Sequence, residues 1–218
     1  MPIRSVVFDV GETLMDDSTF WSSWAEWIGV PHHTLAALVG AVTALGHDNA
    51  YALTLIRPDF DLKAERAARE AAGHGESISE QDLYPDVRPS LASLRKAGFW
   101  VGVAGNQTVR AAELLRALDL PVDAIATSGE WDVAKPALEF FTRLIDWAPG
   151  QPDEIVYVGD HPANDIIPAK AAGLRTAHLR RGPWGYLWAE DPMVTNHADW
   201  RIDSLSQLSE VLSPLEPA

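Results

Sequence analysis

Apolar positions follow two rhythms along this chain. From Ser18 to about Leu83 they recur at helical spacing: Phe20, Trp24 and Ile28 share a stripe flanked by Trp21 and Trp27. Asp16, Asp17 and Ser18 offer N-cap residues for that helix, which starts near Thr19 and ends near Gly29. Pro31 opens a second helix, His33 to Leu45, stopped by Gly46. A third is predicted from Asn49 to Ile56, ended by Arg57-Pro58, and a fourth from Asp61 to Ala72, stopped by Gly73. This stretch shows no strand-like alternation. On either side of it the rhythm is that of buried strands: Ile3 to Phe8, Phe99 to Ala104, Asp123 to Ala126, Glu154 to Val158, Arg175 to Leu179 and Trp200 to Ile202. Between them the pattern predicts helices: one capped by Asp86 and running through Lys96, then Thr108 to Leu118, Pro136 to Trp147, Ala163 to Ala172, and Ser204 to Leu212. The tail from Ser213 reads as frayed.

Strands alternating with helices imply right-handed βαβ units and a parallel sheet. The expected organisation is a discontinuous α/β core, residues 1–15 and 86–218, with a helical insert at 16–85. An insert that leaves the chain beside the C-terminal edge of a sheet can close over a site there.

Composition narrows the function classes. The net charge of −14 argues against a nucleic-acid or anionic-membrane surface. No apolar run approaches the ~20 residues of a membrane span. There are no cysteines, which excludes thiolate nucleophiles and zinc–thiolate sites; with no leader pattern at the start, the cytoplasm is the expected compartment. The same charge makes a phosphorylated substrate a puzzle unless local cations offset the field.

Candidate chemistry gathers where loops leave predicted strands. Asp9 follows the first strand, Ala104-Gly105-Asn106-Gln107 the second, and Gly159-Asp160 with Asp165 the fourth; Lys135 precedes the helix expected to start at Pro136. In an open α/β sheet these positions share one rim. Two or three carboxylates with room for water suit Mg²⁺, which favours one or two carboxylates plus a phosphate. A cation and Lys135 would keep Asp9 ionised, and a free carboxylate can attack phosphorus in line to give an aspartyl-phosphate that water hydrolyses. Helix N-termini near Gln107 and Pro136 would add backbone donors.

These stretches resemble, in order and spacing, the four motifs of the haloacid dehalogenase-like hydrolases. Asp9 and Thr13 match the first motif, Lys135 the third, and Gly159, Asp160 and Asp165 the fourth. The helical insert matches the cap that follows the first motif, and Tyr84-Pro85-Asp86-Val87-Arg88-Pro89 resembles the return to the core. The resemblance implies a Rossmann-like three-layer core with an inserted α-helical cap. It also implies a Mg²⁺-dependent phosphatase acting on a small phosphorylated metabolite, with Asp9 as nucleophile. Metal contacts would come from Asp9, the Gly11 carbonyl, Asp160 and Asp165, and phosphate contacts from Gly105, Asn106 and Lys135.

Two positions depart from the family pattern. Gly11 stands where phosphatases carry the second Asp, a general acid/base worth about 10²–10⁴-fold. Gly105 stands where they carry Ser or Thr. Glu12 or His161 are the candidates to replace the acid; an extended Glu12 would face away from Asp9. The departures leave two alternatives open: a non-catalytic phosphate- or metabolite-binding protein, and a hydrolase of carbon–halogen or phosphonate bonds. Against the latter, the dehalogenase branch does without the metal and usually carries Tyr at the Gly11 position. Other conspicuous residues read more plainly. Trp21, Trp24 and Trp27 form the insert's own core, His32-His33 lie at the surface, and Lys63 to Glu70 is a solvated face with Glu65 and Arg69 paired at i,i+4. Trp184, Tyr186 and Trp188 either line an entrance or cover the core.

Overall fold

The computed structural model describes residues 2–212; Met1 and the tail from Ser213 lie outside the described residues. The chain forms two compact units. One comprises the described parts of Met1–Asp16 and Ile78–Ala218, the other Asp17–Ser77.

The first unit is built on a six-stranded parallel sheet in the order β3-β2-β1-β4-β5-β6. The strands are β1 (Ser5–Phe8), β2 (Trp100–Gly105), β3 (Ala124–Thr127), β4 (Ile155–Gly159), β5 (Arg175–Leu179) and β6 (Trp200–Ile202). Phe8 pairs in register with Val103 on one side and Val158 on the other, so β1 is central and the strand order reverses beside it. That reversal opens a crevice at the C-terminal strand ends, where ligands of open α/β sheets bind.

Alternation along each strand feeds two separate cores. Val6, Phe8, Val101, Val103, Val156 and Val158 face one side, where they meet Leu91 and Leu94 of α5 (Val87–Lys96) and Leu115 of α6 (Val109–Ala117). Val7, Ala104, Ile155 and Tyr157 face the other, against Phe140, Phe141 and Leu144 of α8 (Leu138–Trp147) and Ala169 of α9 (Ile167–Ala171). A sheet covered on both faces explains why its strands read as apolar runs. Ile78, Leu83 and Tyr84 also pack against the first core, which is why the segment returning from the insert clusters with the sheet from residue 78 onward.

The inserted unit holds α1 (Ser18–Ile28), α2 (His32–Ala44), α3 (Tyr51–Ile56) and α4 (Leu62–Ala71). Trp24 is buried, as are Leu35, Val39 and Leu53, so this tryptophan is core as the spacing implied, while Trp21 and Trp27 are half-buried. On α4, Lys63, Arg66 and Glu70 are exposed as expected, but Arg69 and its pairing with Glu65 require correction. Arg69 is buried, lies 4.1 Å from the centroid of the Trp24 ring, and donates to His74 O and Ser23 Oγ. Glu65 pairs with Arg57 at 2.6 Å and accepts from Trp27 Nε1. A guanidinium lying flat on an indole with its forks satisfied gains more than an exposed i,i+4 pair would.

Elsewhere in the first unit several boundaries shift. Asp86 does not cap α5 with its side chain: Oδ2 is taken by the Arg181 guanidinium and by Leu205 N. The helix expected at Pro136 begins at Leu138, after a cis Lys135–Pro136 peptide. The segment expected as one helix from Ala163 opens as a π-helical turn, Pro162–Ile166, before α9. Short helices α7 (Ser128–Trp131), α10 (Gly182–Leu187) and α11 (Pro192–Thr195) lie in connections where the sequence pattern predicts no element.

Candidate active site

Asp9 is the first residue beyond β1, and its N–H donates to Val158 O across the sheet. The backbone then closes on itself. Leu14 and Met15 donate to Val10 O, and Glu12 adopts a left-handed φ of 52°. The turn carries Glu12 away from the strand direction, so the extended geometry expected for it does not occur. Its carboxylate accepts from the Tyr84 hydroxyl at 2.6 Å, and the Tyr84 ring in turn carries the Arg181 guanidinium at 4.3 Å. Gly11 lies at the start of this turn and bridges to Met15.

Asp160 leaves the end of β4, and Asp165 returns from the following π turn to the same place. Asp9, Asp160 and Asp165 each offer a carboxylate oxygen within 4.8 Å of the others. Lys135 Nζ sits among them, 2.7 Å from Asp9 Oδ1 and 2.6 Å from Asp165 Oδ1. The lysine reaches this position because its backbone is held at both ends. Asn106, beyond β2, accepts from Lys135 N at 2.8 Å and donates to Lys135 O at 2.9 Å. Below it lies the Tyr157 ring, 5.3 Å from Nζ, its hydroxyl tied to Ala104 O. The structure thus brings Asp9, Lys135, Asp160, Asp165, Gly105 and Asn106 together. The Asn106 amide is spent on the Lys135 peptide.

Glycine at 105 has a direct geometric cause. A Cβ there would stand 2.5 Å from Asp9 Oδ1 and 3.2 Å from Val10 Cγ2, so the Asp9 carboxylate occupies the space of a side chain. Gly159 is similar: a Cβ would meet Asp165 Oδ2 at 2.3 Å. The fourth-motif glycine admits the carboxylate that orients Lys135.

The electrostatics are short of positive charge. Three buried carboxylates share one ammonium. Burial, with Asp165 adding to it against the pull of Lys135, pushes Asp9 up to about 6. Burial and the neighbouring Asp165 and Asp9 hold Asp160 well above the usual carboxylate range. Burial works against the Lys135 charge, but Asp165 and Asp9 raise it well above an ordinary lysine, so it stays cationic. Asp160 Oδ2 is buried with no hydrogen-bond partner, whereas both oxygens of Asp165 have donors, Lys135 Nζ and His161 N. A hard-oxygen cluster with surplus negative charge and an unpartnered buried oxygen fits a divalent cation. Asp9 is also the most accessible of the cluster, with 13% side-chain exposure against 2% for Lys135 and 0% for Asp165.

Sequence reasoning missed two supports. His178 on β5, pushed down to about 4 by burial, places its neutral Nε2 at 3.0 Å from Asp160 O. The Tyr157 platform was read only as part of an apolar strand. Neither carries a local signal, because both act across neighbouring strands. His161 caps its own turn, Nδ1 accepting from Asn164 N, and packs against Trp188 and Trp184; burial pushes it down to about 4. It is therefore a neutral ring beside the site, with Trp184 and Trp188 packed against it.

Comparison with known proteins agrees on the fold and the family. A family model described as haloacid dehalogenase-like hydrolase matches residues 3–173. The glyceraldehyde 3-phosphate phosphatase of Methanopyrus kandleri is 33% identical over 98% of this chain and 98% of its own length. That of Methanocaldococcus jannaschii is 31% identical over 66% of this chain, a match spanning only 62% of that protein. Among solved structures, the 2-haloacid dehalogenase of Pseudomonas syringae pv. Tomato superposes with a TM-score of 0.58 at 26% identity, covering 96% of this chain and 98% of that one.

Proposed function

The chain belongs to the haloacid dehalogenase-like hydrolase family, and from that premise we propose that it hydrolyses the phosphomonoester of a small phosphorylated metabolite. The observation that carries this reading is the Asp9–Lys135–Asp165 chain of contacts beside a partnerless Asp160 oxygen. Such a site presents a nucleophilic carboxylate next to charge able to receive phosphoryl oxygens. The phosphatase names of the curated relatives point the same way.

Lys135 holds Asp9 Oδ1, which leaves Oδ2 as the attacking oxygen. Oδ2 attacks phosphorus while the bond from phosphorus to the leaving oxygen breaks, and that oxygen takes a proton from water. A water then attacks the aspartyl-phosphate at phosphorus, the bond to Asp9 breaks, and orthophosphate departs with the carboxylate restored. Lys135 neutralises phosphoryl oxygen charge through both steps, and Asn106, Tyr157 and Asp165 keep its Nζ in place. A Mg²⁺ ion held by Asp9, Asp160 and the Gly11 carbonyl, with Asp165 behind them, would supply further charge neutralisation at the phosphoryl group.

Phosphate release from p-nitrophenyl phosphate and a panel of phosphorylated metabolites, with and without Mg²⁺, tests the reading. Asp9→Asn should abolish release, and activity surviving that change would remove Asp9 as nucleophile. A dehalogenase reading draws on the structural neighbour; halide release from 2-haloacids without phosphate release would establish it in place of ours. Stabilisation by Mg²⁺ and phosphate with no turnover would instead assign a binding protein.

A further inference from the structure

His161 presents two ring nitrogens in different settings. Nδ1 accepts the Asn164 N–H at 3.3 Å, which places the ring's N–H on Nε2. That atom has no hydrogen-bond partner among the described residues, and it is not among their buried partnerless atoms; it is open to an incoming group. The ring is fixed on its flanks by Trp188, 4.8 Å between centroids, and Trp184, 6.5 Å. Its own backbone N–H grips Asp165 at 2.9 Å, the carboxylate whose other oxygen receives Lys135. His161 is therefore tied by one carboxylate to the lysine that holds Asp9.

We infer that His161 Nε2–H is a fixed donor to a phosphoryl oxygen of the substrate, supplying the hydrogen bond that position 105 has no side chain to give. The inference rests on the hydrolytic reading above. Its economy lies in the arrangement: at position 105 a side chain would have to shift the Asp9 carboxylate, whereas the loop after β4 reaches the rim from the opposite side of β1. A donor locked by a cap and two indoles loses little freedom on binding. The substrate class is a phosphorylated small molecule whose phosphoryl group lies against the imidazole edge, with the Trp188 face as an apolar wall.

Two substitutions separate donating from capping. His161→Asn keeps an acceptor suited to the Asn164 N–H but loses the distal donor. His161→Gln extends an amide N–H toward the Nε2 position and gives up the cap. With p-nitrophenyl phosphate, His161→Asn should melt with the wild type yet lose roughly ten- to hundredfold in kcat/KM, the value of a hydrogen bond to a charged group. His161→Gln should melt lower and retain more activity than His161→Asn. Wild-type kcat/KM in His161→Asn, or activities that simply follow the melting temperatures, would overturn the inference. Should the wild type release no phosphate at all, the hydrolytic reading fails by itself. Calorimetric affinity for orthophosphate in Mg²⁺ then decides the donor: weakened by His161→Asn and kept by His161→Gln, or unchanged in both and the donor refuted.

Discussion

On the proposed mechanism Gly11 leaves the departing oxygen without a carboxylic acid two residues beyond Asp9, and neither candidate replacement among the described residues is arranged to supply one. Glu12 is turned by its left-handed φ onto Tyr84, and His161 carries no excess proton to give. Leaving groups should therefore matter unusually: aryl and acyl phosphates, whose departing oxygens need no proton, should turn over far better than alkyl esters. Gly11→Asp is expected to raise kcat on alkyl phosphates, by up to about 10²–10⁴-fold, with a much smaller gain on p-nitrophenyl phosphate; equal gains on both would refute the missing-acid explanation. The residues of this site were legible to different degrees. Asp9 and Asp160 could be read because each follows an apolar run, and Asp165 because it stands five residues after Asp160 at the spacing of the fourth motif. Asn106 was read as a phosphate contact, while its geometry seats Lys135, because a hydrogen bond spanning 29 positions leaves no trace in local pattern.

At the level of elements, strands were read almost to the residue: β5 and β6 have the predicted bounds, and in β4 burial throughout leaves a continuous apolar signal. Helices were less legible wherever a distant contact outranked a local rule. Pro136 carried a helix-start signal, yet Asn106 pins the Lys135 backbone and the helix waits until Leu138. The helices α7, α10 and α11 are too short to show a period. The outer strands carry their own electrostatic lock. Asp199, just before β6, bonds Lys170 of α9, Arg175 of β5 and Thr176 N. Burial pulls its carboxyl upward, but these donors outweigh it and hold the group below the ordinary aspartate value. Its folded form thus binds a proton less readily than the unfolded chain. The stabilisation is present above the unfolded pKa and is lost as pH falls through the folded one. Asp199→Asn should lower the melting temperature at pH 7 and flatten its decline between about pH 5 and pH 2. An unchanged acid slope would show that other carboxylates govern it.

Across the whole molecule the net charge of −14 and the surplus of buried carboxylates act in the same direction. Both favour uptake of a divalent cation, and both make the cation-free protein less stable than its packing would allow. Mg²⁺ should raise the melting temperature of the wild type. Asp160→Asn should raise that of the Mg²⁺-free protein, by about 2–4 °C for each kcal/mol relieved, and abolish the Mg²⁺ response; a variant still stabilised by Mg²⁺ would place the cation elsewhere. A site that destabilises its own fold is a common cost of function. The close approach of Asp9 to Gly105 couples the two positions: a side chain introduced at 105 has to shift the end of the Asp9 side chain from its present seat.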